Sequence, residues 1–239
     1  MNKNLTEIAY ILDRSGSMES MVEPAITGFN EFLAEQRKAP GQARLTLVLF
    51  DDEYLVPHQS VPIEEVPDLT TKTYEPRNST ALLDAIGQTI NDLGTRLAKT
   101  PEDERPGLVI IAIFTDGYEN NSIKYDNRKI SEMIRHQREK YNWQFMFLAA
   151  NQDAIATAAK MGIDHADAAS VDYSGAGIRS SSRAFSSRSA AYRQRLIEEG
   201  EVPDWNAVET DGTIAELIQE QMKKIEEEER EGKQGKKKE

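Results

Sequence analysis

Apolar positions along the chain switch between two periods. Leu5 to Leu12 is almost continuously apolar, the pattern of a strand covered on both faces. Met18 to Arg37 then carries Met21, Val22, Ala25, Phe29, Phe32 and Leu33 near helical spacing, and Pro40-Gly41 ends it. Ala43 to Phe50 reads as a second strand, Asp51-Asp52 as a turn, and Tyr54 to Pro57 as a short return strand that proline confines to a sheet edge. Val61 to Ser79, with Pro62, Pro67 and Pro76, reads as irregular. From Ala81, the residues Leu82, Leu83, Ile86, Ile90, Leu93 and Leu97 describe an amphipathic helix. Leu108 to Phe114 is the most continuous apolar run and predicts a central strand. Asn127 to Tyr141 predicts a polar helix, Trp143 to Ala150 a strand, Asp153 to Met161 a short helix closed by Gly162, and Ala166 to Val171 a last edge strand. Strands alternating with helices predict an α/β fold: a doubly wound, mostly parallel sheet with one antiparallel edge hairpin and helices on both faces. Its site would lie at the carboxyl ends of the strands.

Beyond Val171 the character changes. Ser174 to Ile197 contains Arg179, Arg183, Arg188, Arg193 and Arg195 and no acidic residue. The pattern predicts a last helix packing Ile178, Phe185, Tyr192 and Leu196 on the sheet, with its arginines facing water or pairing with the acidic body. After a looser stretch through Pro203, Asp204 and Trp205, the residues Ile214, Leu217, Ile218, Met222 and Ile225 predict a final amphipathic helix running into a charged, disordered tail. The predicted organisation is one domain over 1–200, and over 201–239 a linker, a helix and the tail.

Composition narrows the chemistry. At 239 residues and 38% hydrophobic content, one substantial core is available. The formal charge of −12 argues against nonspecific binding to nucleic acid or to an anionic membrane. The absence of cysteine removes thiolate chemistry, disulfides and cysteine zinc sites. The first apolar stretch ends in Asp13 rather than at a small-residue cleavage site, so a cytoplasmic protein without a membrane span is expected.

The candidate chemistry sits where the strands end. Asp13, Ser15 and Ser17 follow the first strand, Thr80 precedes the helix from Ala81, and Asp116 follows the central strand. A doubly wound sheet brings these three loops together at its switch point. Their five side chains offer only oxygen, which suits Mg²⁺, or equally Mn²⁺ or Ca²⁺, and disfavours zinc. With three neutral hydroxyls and two carboxylates, such an ion keeps an attraction for one more anion. Taken singly, Ser15, Ser17 and Thr80 also suit helix capping, and Asp116 suits a turn before Gly117. Asp51, Asp52 and Glu53 read as a solvated hairpin turn, and Glu119, Asn120 and Asn121 as a surface loop bordering the site.

The segments DRSGS at 13–17, NSTALLDAIG at 78–87 and FTDG at 114–117, in this order and spacing, resemble the metal ion-dependent adhesion site (MIDAS) of the von Willebrand factor A (vWA) domain. That fold is Rossmann-like, and the resemblance spans Leu5 to Val171. It implies that Ser15, Ser17 and Thr80 coordinate the ion directly in the ligand-bound form, with Asp13 and Asp116 holding it directly or through water. Ser79 stands where the family often has glycine, which puts the conformation of that loop in question. The layout is most similar to intracellular members from bacteria and their phages. The implied function is a metal-dependent protein-protein interaction module whose partner supplies an Asp or Glu carboxylate. An AAA ATPase or another assembly component is the kind of partner implied.

Two other readings are separable by experiment. One is a nucleic-acid adaptor using Arg179 to Arg195, and the other a Mg²⁺-dependent phosphohydrolase with Asp13 as nucleophile. The second lacks a carboxylate two residues on, where Ser15 stands, and a lysine placed for phosphate; no HExxH, GxSxG or GxxxxGK[ST] motif occurs. The chain is therefore expected not to be an enzyme.

Overall fold

The computed structural model describes residues 1–116, 119–149, 153–172, 174–199 and 212–235. The motif glycine Gly117, the strand-end residue Ala150, the linker with Pro203, Asp204 and Trp205, and 236–239 lie outside the described residues. The strands are β1 (Asn2–Asp13), β2 (Gln42–Phe50), β3 (Tyr54–Pro62), β4 (Pro106–Thr115), β5 (Gln144–Ala149) and β6 (Ala168–Ser170). The helices are α1 (Val22–Lys38), α2 (Leu82–Lys99), α3 (Asn127–Tyr141), α4 (Ala154–Lys160), α5 (Gly175–Glu199) and α6 (Ile214–Gly235).

The strands form one sheet in the order β3-β2-β1-β4-β5-β6, parallel throughout except for the β2–β3 pair. Successive side chains of a strand face opposite sides, and the central strands are apolar on both. Ile8, Tyr10 and Leu12 of β1 and Ile110, Ala112 and Phe114 of β4 join a core with α1, α5 and α6. Ala9 and Ile11, with Val109, Ile111 and Ile113, join the other core with α2, α3 and α4. The chain leaves β1 toward the first face and β4 toward the second, so the carboxyl ends of β1 and β4 flank the switch point.

Three local differences from the sequence reading have physical causes. The predicted helix from Met18 is divided: a 3-10 turn spans Gly16–Met21, where Met18 and Met21 are buried, and α1 begins at Val22. Pro24 then falls in the first turn of α1, where a missing N–H costs nothing. The return strand does not stop at Pro57; β3 runs to Pro62. Its register with β2 shifts twice, and Ser60 adopts a φ of 51°, so bulges absorb the extra residues at an edge where proline is tolerated.

The third difference concerns the arginines. Arg188 and Arg193 are buried rather than facing water, while Arg179, Arg183 and Arg195 are half-buried and Arg183 pairs with the acidic body as expected. Arg193 donates from Nη1 to the carbonyl of Gln36 at 2.7 Å and from Nη2 to those of Ala39 at 3.2 Å and Gly41 at 2.8 Å. It thereby satisfies carbonyls at the carboxyl end of α1, the negative end of the helix dipole. Burial lowers its pKa to about 10, partly countered by Glu64, so it stays charged at neutral pH. Arg188 donates to the carbonyl of Gly212 at 2.6 Å, and Arg183 pairs with Glu31 and Glu228, which ties α5 to α1 and α6. Ile214, Ile218 and Ile225 of α6 are buried against the body. Among the described residues no helix is long and apolar enough to cross a membrane.

Candidate metal centre

Asp13 closes β1 and is fully buried beside Phe50 of β2. Its Oδ1 accepts the N–H of Ser15 at 2.7 Å, and its Oδ2 accepts the Thr115 hydroxyl at 2.5 Å from the end of β4. Its carbonyl accepts the hydroxyl of Tyr74 at 2.6 Å, from the loop that leads to Thr80. Burial raises the Asp13 pKa from 3.8 to about 6. The bonds from Thr115 and Ser15 oppose that rise, and the nearby charge of Asp116 adds to it.

The Ser15 and Ser17 hydroxyls lie 3.1 Å apart, with Ser15 buried and Ser17 exposed. Ser15 occupies the N-cap of the 3-10 turn but makes no side-chain cap bond. The N-cap of α2 is Ala81 rather than Thr80. Helix capping therefore explains neither side chain.

Hydrogen bonds bring the three loops together. Gly16 N–H donates to the Asn78 carbonyl at 3.0 Å and Arg77 N–H to that of Arg14 at 2.8 Å, joining the β1 loop to the Thr80 loop. Thr80, itself buried, donates its N–H to Asn120 Oδ1 at 2.9 Å, and its carbonyl accepts the N–H groups of Asn120 and Asn121, both at 3.1 Å. Asp116, 7% exposed, follows Thr115 directly. The left-handed position of the Thr80 loop is Asn78, with φ 56°, so serine at 79 meets no backbone conflict.

Sequence reasoning missed the segment that frames this edge. Glu119 and Asp84 are its anchors: the bordering loop lies on the surface as expected, with Asn120 and Asn121 exposed, but hydrogen bonds tie it to α2. The Glu119 carboxylate accepts Leu83 N–H at 3.0 Å, in the first turn of α2, together with Asn121 N–H at 2.9 Å and Ser122 N–H at 2.7 Å. The Asp84 carboxylate accepts the N–H groups of Ile123, Lys124 and Tyr125. Acidic groups at a helix N-terminus are favoured by the free N–H groups and the dipole. An Asp in the first turn of α2 and a Glu ahead of Asn-Asn-Ser were the available signals.

The donor set fits a small hard cation. In octahedral coordination with bonds of about 2.1 Å, neighbouring ligand oxygens lie about 3.0 Å apart; the Ser15 and Ser17 hydroxyls, hydrogen-bonded to each other at 3.1 Å, have that spacing without an ion. The Asp13 carboxyl, its pKa raised by burial and by the nearby charge of Asp116, is short of a positive charge at this edge. Among the described residues no group of three or more His, Cys, Asp or Glu side chains could hold a metal, so any site here depends on the hydroxyls.

No protein-family model and no characterised protein sequence matches the chain. Solved structures match its fold. A von Willebrand factor type A protein from Catenulispora acidiphila superposes with a TM-score of 0.53 at 13% identity, covering 77% of this chain and 42% of that one. Proximal thread matrix protein 1 of the mussel byssus gives 0.55 at 11% identity, covering 78% and 46%. The D319A mutant of the PilB minor pilin from Streptococcus sanguinis gives 0.56 at 10% identity, covering 84% and 64%. The chain thus spans less than two thirds of each of these proteins. At such identities the likeness concerns architecture, and with the strand order and switch point above it establishes that this chain has the von Willebrand factor A fold.

Proposed function

We propose that the protein is a metal-dependent protein-protein interaction module, not an enzyme, with Asp13, Ser15, Ser17, Thr80 and Asp116 holding a divalent cation. The observation that carries this reading is the convergence of three hydrogen-bonded loops on a buried Asp13, with Ser15 and Ser17 hydroxyls 3.1 Å apart and Ser17 reaching solvent. Bound there, Mg²⁺ or Mn²⁺ supplies a coordination position for a carboxylate oxygen of an Asp or Glu on the partner.

The chain's own residues do the rest. Asp13 is held rigid by Thr115 and Ser15, Tyr74 fixes its backbone, and Asn120 fixes the backbone of Thr80. A turn accounts for the bond from Ser15 N–H to Asp13, but a cap or a turn accounts for none of the bonds that Tyr74, Thr115 and Asn120 make between loops. Partners that carry such a carboxylate include assembly components, with AAA ATPases as one class, and the compartment we propose is the cytoplasm.

The test is selection of a random peptide library in Mg²⁺ with elution by EDTA. Eluted peptides should share an acidic side chain and fail to bind Thr80→Ala. Peptides without one, or retained by that variant, would refute the reading. Turnover of a generic phosphate ester in Mg²⁺ would favour the enzyme instead.

A further inference from the structure

Between the proposed metal edge and the β2–β3 hairpin lie four charges that this function does not use. Asp52 and Glu53 of the hairpin turn are exposed, as its composition suggests, but Asp51 is fully buried and Arg14 is 7% exposed. Arg14 Nη2 lies 3.1 Å from Asp51 Oδ2 and 3.6 Å from Glu53 Oε2. Arg77 Nε donates to Asp51 Oδ2 at 2.8 Å, and its Nη2 bonds Glu53. The Arg14–Asp51 contact has ion-pair distance but not hydrogen-bond geometry, and among the described residues Arg14 Nε and Nη2 have no acceptor.

Backbone bonds link the same residues to the proposed ligands. Ala81 N–H, next to Thr80, donates to the Asp51 carbonyl at 2.8 Å. Arg14, between Asp13 and Ser15, donates its N–H to the Phe50 carbonyl at 2.8 Å and accepts Arg77 N–H at 2.8 Å. Glu53 N–H closes the turn on Asp51 Oδ1 at 2.6 Å.

We propose that Asp51 is a positioning residue for the metal site: with Glu53 it clamps Arg14 and Arg77, which sets the Ser15 loop against the Thr80 loop and neutralises two guanidiniums beside a cation edge. The inference rests on the metal reading above. Without the Asp51 charge, Arg14 keeps only Glu53, at 3.6 Å, and its excess positive charge one residue from two ligands repels a dication as well as loosening the loop. Groups that orient metal ligands typically change metal affinity about 10- to 100-fold when removed.

A purely structural ion pair is available for comparison. Glu7 is 1% exposed and lies 2.8 Å from Arg96 Nη2. It is on β1, six residues before Asp13, about 20 Å away at the rise of a strand.

The test is calorimetric titration of Mg²⁺ and Mn²⁺ into Asp51→Asn, Arg77→Gln, Glu7→Gln and the unaltered protein, at low and high salt. Amide exchange at Gly16 and Ala81 is read on the metal-free forms. Asp51→Asn and Arg77→Gln should weaken metal about 10- to 100-fold, with the Asp51→Asn loss greater at low salt, and both should speed exchange at Gly16 and Ala81. Glu7→Gln should lower stability yet bind metal and exchange at those amides as the unaltered protein does. Arg77 is partly exposed, so its variant remains informative if Asp51→Asn does not fold. Unchanged affinity in both variants, or an equal loss in Glu7→Gln, overturns the proposal. If the unaltered protein takes up no metal, the metal reading fails by itself; unchanged exchange at Gly16 and Ala81 then overturns the positioning role, and faster exchange supports it.

Discussion

In the metal-free protein, Asp13 should destabilise the fold that displays it. Its pKa rises from 3.8 to about 6, mainly because the carboxylate is buried. A folded value above the unfolded one means that the fold prefers the protonated form. The corresponding stability is present below pH 3.8 and is lost as pH rises through about 6. Roughly two units at 1.36 kcal/mol each give about 3 kcal/mol at pH 8. Asparagine has the shape of the protonated acid and can still accept the Ser15 N–H, while the Thr115 hydroxyl can rotate to accept from the new amide. Asp13→Asn should therefore raise the stability of the chelated protein at pH 8 by about 2–3 kcal/mol, or roughly 5–10 °C in Tm for a domain of this size. At acid pH near 4 the difference should nearly vanish. Excess Mg²⁺ should reverse the order by stabilising only the unaltered protein, in proportion to ln(1 + [L]/Kd). Thermal unfolding in EDTA and in Mg²⁺ at both pH values measures all of this. A variant less stable than the unaltered protein in EDTA at pH 8 would refute the reasoning.

Two further perturbations probe the Arg-rich helix. Arg193→Lys keeps a buried charge, but one ammonium cannot span the Gln36 and Gly41 carbonyls that the guanidinium bridges, so urea unfolding should show a loss of about 2–4 kcal/mol; a loss under about 0.5 kcal/mol would contradict the capping role. An added Cβ at Gly28 would clash with Ser182 Oγ, at the close approach of α1 and α5. Gly28→Ala should cost about 1–3 kcal/mol, and much of that loss should be absent in a Ser182→Ala background; additive effects in the double-mutant cycle would show that the contact is not the cause.

The strands and their order of burial were legible because apolar runs such as Leu108–Phe114 allow no other environment. The five proposed ligands were legible because each follows or precedes such a run. What the pattern hid was polar and long-range. The second half of β3 is an edge with no buried residue and a bulge at Ser60, so no apolar period marks it. Arg193 reads as solvent-facing until α1 is placed beside it, since its partners are carbonyls about 150 positions earlier in the chain. Asp51 reads as a turn residue until Arg14 and Arg77 converge on it. Glu119 and Asp84 need the contact between the loop after β4 and the start of α2, which local composition does not encode.

Direct calorimetric titration of Mg²⁺ and Mn²⁺ into metal-stripped protein, beside Asp13→Ala and Thr80→Ala, tests the central claim. The account predicts one saturable site in the unaltered protein and none in either variant. Equal binding in all three proteins, or none in the unaltered one, would contradict a cation held by these loops.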